Sequence, residues 1–163
     1  MIVRFHELKG LRDTVAMVDG AFDPLHHGHV EYFRQARRQG WPLLCNIAPD
    51  SYLQTKHTPL LPAELRAHVL DALRDIDYTH VSSWATEVVI RELRPVAFIK
   101  GKDWEGRLPA REVDTCEDLG IRVVYLDTIR DSSSRLLDQF RDHGQVSTVG
   151  KGLSTGRGDG DPE

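Results

Sequence analysis

Short apolar segments alternate with longer amphipathic segments through most of the chain. The apolar segments are rich in Val, Ile and Leu, and they occupy residues 14–18, 43–48, 78–82, 96–99 and 121–126. Several of them are apolar throughout, which is typical of strands buried on both faces of a parallel sheet. The pattern therefore predicts a five-stranded, mainly parallel sheet.

The segments between these strands have the pattern of helices. The predicted helices cover residues 29–39, 62–73, 86–93, 109–119 and 132–143. A glycine follows the first, fourth and fifth helix, and a proline opens the second, as is common at helix ends. In the second helix the apolar residues form one stripe that we expect to face the core. These residues are Leu65, Val69, Leu70 and Leu73.

The alternation of strands and helices predicts an α/β fold. We expect a Rossmann-like three-layer sandwich, with helices on both faces of the sheet and ligands bound outside the carboxyl ends of the strands. Residues 1–143 are expected to form this domain, beginning with a short helix or an extended lead-in. Residues 144–163 are rich in Gly, Ser, Thr and Asp, and they are expected to form a flexible tail.

Composition narrows the class of protein. The chain has 163 residues, 40% of them hydrophobic and 28% charged, and its formal net charge is −4. These values fit one globular domain and disfavour binding of extended nucleic acid, which needs a basic surface. No apolar segment approaches the roughly 20 residues of a membrane span, and no signal peptide is recognisable. Because Cys45 and Cys116 lack the spacing of a metal site, we expect free thiols and a cytoplasmic protein.

The strongest chemical signal follows the first strand, at residues 20–29, where the sequence is GAFDPLHHGH. His26 and His29 lie at the junction of a strand and a helix, where backbone N–H groups and the helix dipole favour an anion. The imidazoles add hydrogen-bond donors for a phosphoryl group. Two ordinary surface histidines and a zinc site are the alternatives, although a third and a fourth zinc ligand at usable spacing are missing.

This segment resembles the GxFDxxHxGH signature of the cytidylyltransferase-like nucleotidyltransferases. The resemblance implies transfer of a nucleotidyl group from a nucleoside triphosphate to a phosphorylated substrate, with release of pyrophosphate. It implies that His26 and His29 are catalytic. It also implies that the other matching residues bind the nucleotide, namely Gly20, Ala21, Phe22, Asp23 and Gly28.

A second segment follows the fourth predicted strand, at residues 99–107, where the sequence is IKGKDWEGR. It resembles the family's KGxD element, which is followed by an aromatic residue. By that resemblance Gly101, Asp103 and Trp104 bind the nucleotide and Lys100 binds the substrate. A charged loop at a strand end, with Trp104 in the core, is the alternative.

A third segment follows the fifth predicted strand, at residues 128–137, where the sequence is TIRDSSSRLL. Serine hydroxyls and free N–H groups at the start of a helix form a cradle for an anion, although serines there are most often simple caps. The segment resembles the family's second phosphate-binding motif. That resemblance implies nucleotide binding by Arg130, Ser132, Ser133 and Ser134.

The loop after the second predicted strand, residues 48–56, resembles a loop of the heptose-phosphate adenylyltransferases. The resemblance implies that Asp50 binds substrate and that Lys56 acts in catalysis by neutralising phosphate charge. Arg66, in the next helix, matches a substrate-binding arginine, and an ordinary helix-surface arginine is the alternative. Ala48 departs from the family pattern, which has Asn there.

Together the motifs predict transfer of CMP or AMP, from CTP or ATP, to a phosphorylated polyol or sugar. Residues 103–106 and Arg130 favour the glycerol-phosphate cytidylyltransferases. Lys100, Gly101 and the loop of residues 48–56, here called the lysine loop, are shared with the heptose-phosphate enzymes. We expect Mg²⁺ bound through the nucleotide phosphates, without protein ligands, and no nucleic-acid or membrane partner. The resemblance also implies a homodimer. A pantetheine-phosphate or nicotinamide-mononucleotide adenylyltransferase and a non-catalytic nucleotide-binding module are the alternatives.

Overall fold

Five parallel strands form one sheet in the part of the chain that the structure describes, residues 1–127 of a computed structural model. They are β1 (Ala16–Gly20), β2 (Leu43–Ile47), β3 (Tyr78–Val81), β4 (Ala97–Gly101) and β5 (Arg122–Leu126). Their order is β3-β2-β1-β4-β5, and all neighbouring pairs are parallel. Along the chain, β2 and β3 are added on one side of β1, and β4 and β5 are then added on its other side. A crevice therefore opens at the carboxyl ends of β1 and β4.

Helices connect these strands. They are α1 (His27–Arg37), α2 (Asp50–Gln54), α3 (Ala63–Asp71), α4 (Thr86–Leu93) and α5 (Ala110–Asp118), with 3₁₀ helices at Phe5–Leu11 and Lys102–Trp104. The α/β class, the five parallel strands and the four helices predicted before residue 127 are confirmed. The predicted helix 132–143, the tail 144–163 and the domain boundary between them lie outside the described residues.

The central strands bury both of their faces. On one face, Val18 of β1 and Cys45 of β2 pack with residues of α1 and α3. On the other face, Met17 and Leu44 pack with residues of α4, α5 and the first 3₁₀ helix. Each strand therefore contributes alternate residues to two apolar clusters, which explains why the predicted strands are apolar at successive positions. The predicted three-layer sandwich is confirmed.

Two local features differ from the expectation in ways that affect the chemistry. Helix α1 begins at His27, earlier than predicted, so that His26 is its N-cap and both motif histidines lie in its first turn. The loop after β2 contains the short helix α2, whose N-cap is Pro49. Proline fixes φ near the value that a helix start requires, and this signal was present in the sequence.

The predicted apolar stripe of α3 is wrong for two of its residues. Leu65 is 50% exposed and Val69 is 44% exposed, whereas Leu70 is buried. The helix instead buries its small residues and Arg66, because Arg66 donates hydrogen bonds to groups beneath the helix. The face of α3 that packs on the protein is thus the one that carries Arg66 and its hydrogen bonds, and Leu65 and Val69 face solvent.

Both cysteines are buried free thiols, as predicted. Burial raises the pKa of Cys116 to about 11 and also raises the pKa of Cys45. Neither thiol is therefore activated as a nucleophile. No helix within residues 1–127 has both the length and the apolar character needed to cross a membrane.

Two substitutions on α3 test its orientation. We expect Leu70→Ala to lower the free energy of unfolding by about 2–5 kcal/mol, because it leaves a cavity under the helix. Leu65→Ala on the same helix should change this free energy by less than about 0.5 kcal/mol, since Leu65 faces solvent. Urea unfolding followed by circular dichroism measures both values. Equal losses for the two variants would show that the helix is rotated relative to this description.

Candidate functional site

A cavity of about 710 Å³ opens at the carboxyl edge of the sheet. Its walls come from the ends of β1, β2, β3 and β4 and from the amino-terminal turns of α4 and α5. This is the place where a sheet of this topology binds ligands. The predicted site residues that line the cavity are Gly20, Ala21, Phe22, His29, Lys56, Lys100, Gly101, Asp103 and Trp104.

The two motif histidines form a stacked pair at the start of α1. Their ring centroids are 3.8 Å apart, and His29 lines the cavity while His26 lies behind it. The Nδ1 atom of His26 accepts a hydrogen bond of 3.1 Å from the backbone N–H of Gly28. The Nδ1 atom of His29 accepts one of 3.3 Å from the backbone N–H of His26. The helix start thus fixes both rings through its own free N–H groups.

This arrangement makes His29 an uncharged hydrogen-bond donor. Burial, and secondarily the neighbouring imidazole of His26, lower the pKa of His29 to about 3. The ring is therefore neutral near pH 7. Because its Nδ1 atom accepts a hydrogen bond, its proton resides on Nε2, which then donates. A neutral donor next to the positive end of α1 suits a phosphoryl oxygen.

Two glycines allow the close packing of this pair. A Cβ atom on Gly20 would lie 2.9 Å from the ring of Phe22, and one on Gly28 would lie 3.0 Å from the ring of His26. The Phe22 ring in turn contacts the His29 ring edge-on, with centroids 5.2 Å apart. The absence of a side chain at Gly20 and Gly28 therefore lets the rings of Phe22 and His26 take their positions. It also leaves room for a ligand to approach the backbone.

Arg66 holds the loop between β1 and α1, here called the motif loop, through hydrogen bonds. Its guanidinium donates hydrogen bonds of 2.6 Å to the carbonyl oxygen of Ala21, 3.0 Å to that of Leu61 and 2.6 Å to the carboxylate of Asp50. The Arg66 side chain is only 1% exposed. Neither Arg66 nor Asp50 is a lining residue of the cavity. These contacts support a positioning role for the pair, and direct binding of substrate by either residue stays a prediction.

Asp23 also lies behind the lining and is buried. One of its carboxylate oxygens accepts a 2.7 Å hydrogen bond from the backbone N–H of Leu60. This bond ties the motif loop to the segment before α3. Asp23 therefore acts on the shape of the loop here, and nucleotide binding by its side chain stays a prediction.

Lys56 stands at the mouth of the cavity, just after α2. Its Nζ atom donates a 2.7 Å hydrogen bond to the hydroxyl of Tyr52, and both residues line the cavity. Both side chains are exposed. A long exposed lysine can swing toward a bound polyphosphate at little cost, since its present bond is screened by water.

Lys100 lies at the floor, at the end of β4. Its Nζ atom forms a 2.6 Å ion pair with Asp19 of β1 and lies 4.3 Å from the ring centroid of Trp104. The second carboxylate oxygen of Asp19 accepts a 3.1 Å hydrogen bond from the Thr86 hydroxyl. Lys100 and Asp19 are nearly buried, so that the pair is part of the cavity's framework.

Sequence reasoning missed several polar residues of the cavity. Asn46 and Glu112 are buried there, although Asn46 sits inside an apolar strand and Glu112 in the first turn of α5. A polar residue within an otherwise apolar strand is a signal that could have pointed to Asn46. The predicted nucleotide-binding residues Arg130, Ser132, Ser133 and Ser134 lie outside the described residues.

The geometry agrees with the comparison against protein families. The family model described as cytidylyltransferase-like matches residues 17–137. The chain belongs to the cytidylyltransferase-like family. The family resemblance stated from the motifs is thereby confirmed, and the chain is a nucleotidyltransferase of this type.

Curated relatives of the cytidylyltransferase-like chain include bifunctional proteins. The bifunctional protein HldE of Syntrophotalea carbinolica is 35% identical over 136 residues, which are 78% of this chain and 28% of that protein. HldE of Pseudomonas entomophila is 29% identical over 148 residues, which are 88% of this chain and 31% of that protein. The chain thus spans less than a third of the length of these relatives.

Solved structures share the fold. A lipopolysaccharide core biosynthesis protein from Thermoplasma volcanium has a TM-score of 0.61 at 22% identity, over 70% of this chain and 96% of that one. Pantothenate synthetase from Thermus thermophilus has a TM-score of 0.61 at 16% identity, over 87% of this chain and 70% of that one. At these identities the likeness concerns the Rossmann-like architecture alone.

Two cavity residues should give the free energy of unfolding opposite pH dependences. His29 has a pKa of about 3 in the folded chain against 6.5 ordinarily, so the unfolded chain alone takes a proton between these values. Its contribution therefore lowers stability as the pH falls. Burial, and then Asp19, raise the pKa of Glu112 to about 7 from 4.5, so its contribution raises stability as the pH falls between these values. Between pH 4.5 and 6.5, where the two titration ranges overlap, each residue changes the free energy of unfolding by about 1.4 kcal/mol per pH unit.

Single variants separate the two contributions. Relative to wild type, His29→Asn should become more stable as the pH falls from 6.5 to 5, and Glu112→Gln should become less stable. Urea unfolding at several pH values measures both differences. Differences of the same sign for the two variants would contradict the assigned protonation states.

Proposed function

We propose that this domain transfers a nucleotidyl group from a nucleoside triphosphate to the phosphate of a sugar or polyol phosphate and releases pyrophosphate. The observation that carries the proposal is the neutral, backbone-fixed His29 at the start of α1, facing a cavity of about 710 Å³. Cavities of this size hold ligands such as nucleotides. Family membership supports the reaction class.

In this reaction an oxygen of the acceptor phosphate attacks the α-phosphorus of the triphosphate. One P–O bond forms, the bond between the α-phosphorus and the departing pyrophosphate breaks, and no covalent enzyme intermediate is required. The two cysteines support this direct route, because both are buried with raised pKa values. Catalysis then depends on positioning and electrostatics.

The histidines and Lys56 have different tasks in this proposal. His29 donates an Nε2–H hydrogen bond to phosphoryl oxygens as charge gathers on them, and His26 supports it from behind. Because His29 is neutral, positive charge must come from another group. Lys56 at the mouth is suited to this, since its side chain is exposed and borders the cavity.

Magnesium would enter this site with the triphosphate. Among residues 1–127, no group of three or more His, Cys, Asp or Glu side chains is arranged to hold a metal ion. The donor set instead consists of imidazoles, backbone N–H groups and a lysine, which bind anions. Mg²⁺ would be held by phosphate oxygens and water and would neutralise phosphate charge; this stays a prediction.

The loop of residues 48–56 resembles that of the heptose-phosphate adenylyltransferases, and HldE homologues support that family, so ATP and a sugar phosphate are the first pair of substrates to test. The DWEG sequence at residues 103–106 favours a second pair, CTP and glycerol 3-phosphate. Release of pyrophosphate, measured for ATP and CTP with glycerol 3-phosphate, several sugar 1-phosphates and ethanolamine phosphate, distinguishes these pairs. Tight nucleotide binding without turnover would instead support the non-catalytic module. The cytoplasmic location and the homodimer stay predictions.

Removal of either motif imidazole should slow the reaction. His29→Ala is expected to lower kcat by about 10²-fold or more, because a preorganised donor to the reacting phosphoryl group is lost. His26→Ala should lower it as well, since the His29 ring loses its stacking partner. Steady-state release of pyrophosphate measures both effects.

The adjacent His27 provides a matched control, because its side chain is exposed and does not line the cavity. His27→Gln should keep kcat near the wild-type value. Circular dichroism of all three variants confirms that the fold is retained. Near-normal turnover in the folded His29→Ala variant would remove this residue from the mechanism.

A further inference from the structure

One row of side chains crosses the end of the sheet on the face that α4 and α5 cover. The strand register pairs Asp19 with Asn46, Asn46 with His80, and Lys100 with Tyr125. The ion pair between Asp19 and Lys100 joins the two halves of the row. Two residues earlier, the same face carries the apolar residues of the core, so this row is where the face turns polar.

Most polar groups at the centre of this row are already satisfied within the protein. Asp19 uses both carboxylate oxygens, one for Lys100 and one for the hydroxyl of Thr86. Lys100 also lies against the ring of Trp104. These contacts hold Asp19 and Lys100 in place as the floor of the cavity, and substrate binding by Lys100 stays a prediction.

Two hydrogen-bond acceptor atoms beside that floor, in contrast, have no partner among residues 1–127. Within the described residues, Oδ1 of Asn46 and Oε2 of Glu112 are buried side-chain atoms without a hydrogen-bond partner. Asn46 is 3% exposed and Glu112 is 8% exposed, and both line the cavity. A buried acceptor that lacks a partner is destabilising, so such atoms in a cavity indicate a ligand that donates hydrogen bonds.

We propose that Asn46 and Glu112 bind hydroxyl groups of the acceptor's carbon skeleton and so determine which acceptor the enzyme uses. This inference rests on the proposed function. It places the reacting phosphates on the α1 side of the cavity, near His29. The hydroxyl-bearing part of the acceptor then lies on the α4 and α5 side.

Hydroxyl groups match both acceptor atoms. The charged groups that act on Glu112 are of both signs, namely the carboxylates of Asp19 and Glu87 and the ammonium of Lys100. Charge alone therefore does not select an ammonium group. Asn46 is uncharged, so it offers no counter-charge to an ammonium group. A hydroxyl group both donates and accepts, and it can therefore pair with Glu112 whether or not that carboxyl is protonated. Because the pKa of Glu112 is raised to about 7, both the protonated and the ionised carboxyl are present near neutral pH.

The test is acceptor discrimination by the full chain. Glucose, mannose and heptose 1-phosphates are compared with their monodeoxy analogues, by pyrophosphate release with ATP and with CTP. Wild type should prefer the hydroxylated acceptor over at least one analogue. Glu112→Leu and Asn46→Leu should each lower kcat/KM for the hydroxylated acceptor by about 10- to 100-fold, through the acceptor KM, while KM for the nucleotide stays unchanged.

Three controls separate recognition from a structural effect. Glu112→Gln keeps one acceptor oxygen and should retain most of the preference for the hydroxylated acceptor. Glu117→Leu, at an exposed position of the same helix, should match wild type. Losses of equal size for hydroxylated and deoxy acceptors would overturn the inference, and so would unchanged discrimination in both leucine variants. A Glu112-dependent preference for ethanolamine phosphate would assign the site to an ammonium group and also overturn it.

Binding measurements distinguish this inference from the reaction itself. Calorimetry with the same sugar phosphates, in the presence of a non-hydrolysable nucleotide, does not require turnover. If no pair of substrates releases pyrophosphate but sugar-phosphate binding still depends on Glu112, the assignment of Glu112 to hydroxyl binding stands, while the proposed reaction and the role of Glu112 in the choice of acceptor fail. If wild type neither binds nor turns over any of these compounds, both are overturned.

Discussion

The buried ion pair between Asp19 and Lys100 is the interaction on which the site depends. It joins the ends of β1 and β4 at 2.6 Å, at the point where the order of the strands reverses. A buried pair of this kind adds little net stability, because desolvation of both charges offsets their attraction. Its effect is geometric. It fixes two neighbouring strand ends, and with Thr86 it fixes α4 relative to them.

The two faces of the sheet contribute differently to the cavity above this pair. On one face, the first turn of α1 presents a neutral imidazole and backbone N–H groups, which suit phosphoryl oxygens. On the other face, α5 and β2 present buried acceptor atoms that are complementary to donors. The imidazole donor and the two unpaired acceptor atoms thus lie on opposite sides of one sheet edge. A ligand with a phosphate at one end and hydroxyl groups at the other fits this polarity.

The sequence predicted the strands and most helices well because burial on both faces leaves a strong apolar signal in parallel strands. The GAFDPLHHGH segment predicted the position of the histidine pair, since a strand-to-helix junction has few possible geometries. Arg66 and Asn46 were harder to interpret. Arg66 is buried because the carbonyl of Ala21 and the carboxylate of Asp50 happen to lie beneath it, and these are distant in sequence. Such long-range pairing leaves no local pattern.

The division of the cavity between two faces has an evolutionary consequence. Substitutions on α4 and α5 can alter the chemistry of one wall while the glycines, the phenylalanine and the imidazoles around α1 keep their tight mutual packing. The helix that carries Glu112 packs on the opposite side of the sheet from that motif. If Glu112 selects the acceptor as proposed, mutations on α5 would change this preference while leaving the packing of the histidine motif intact.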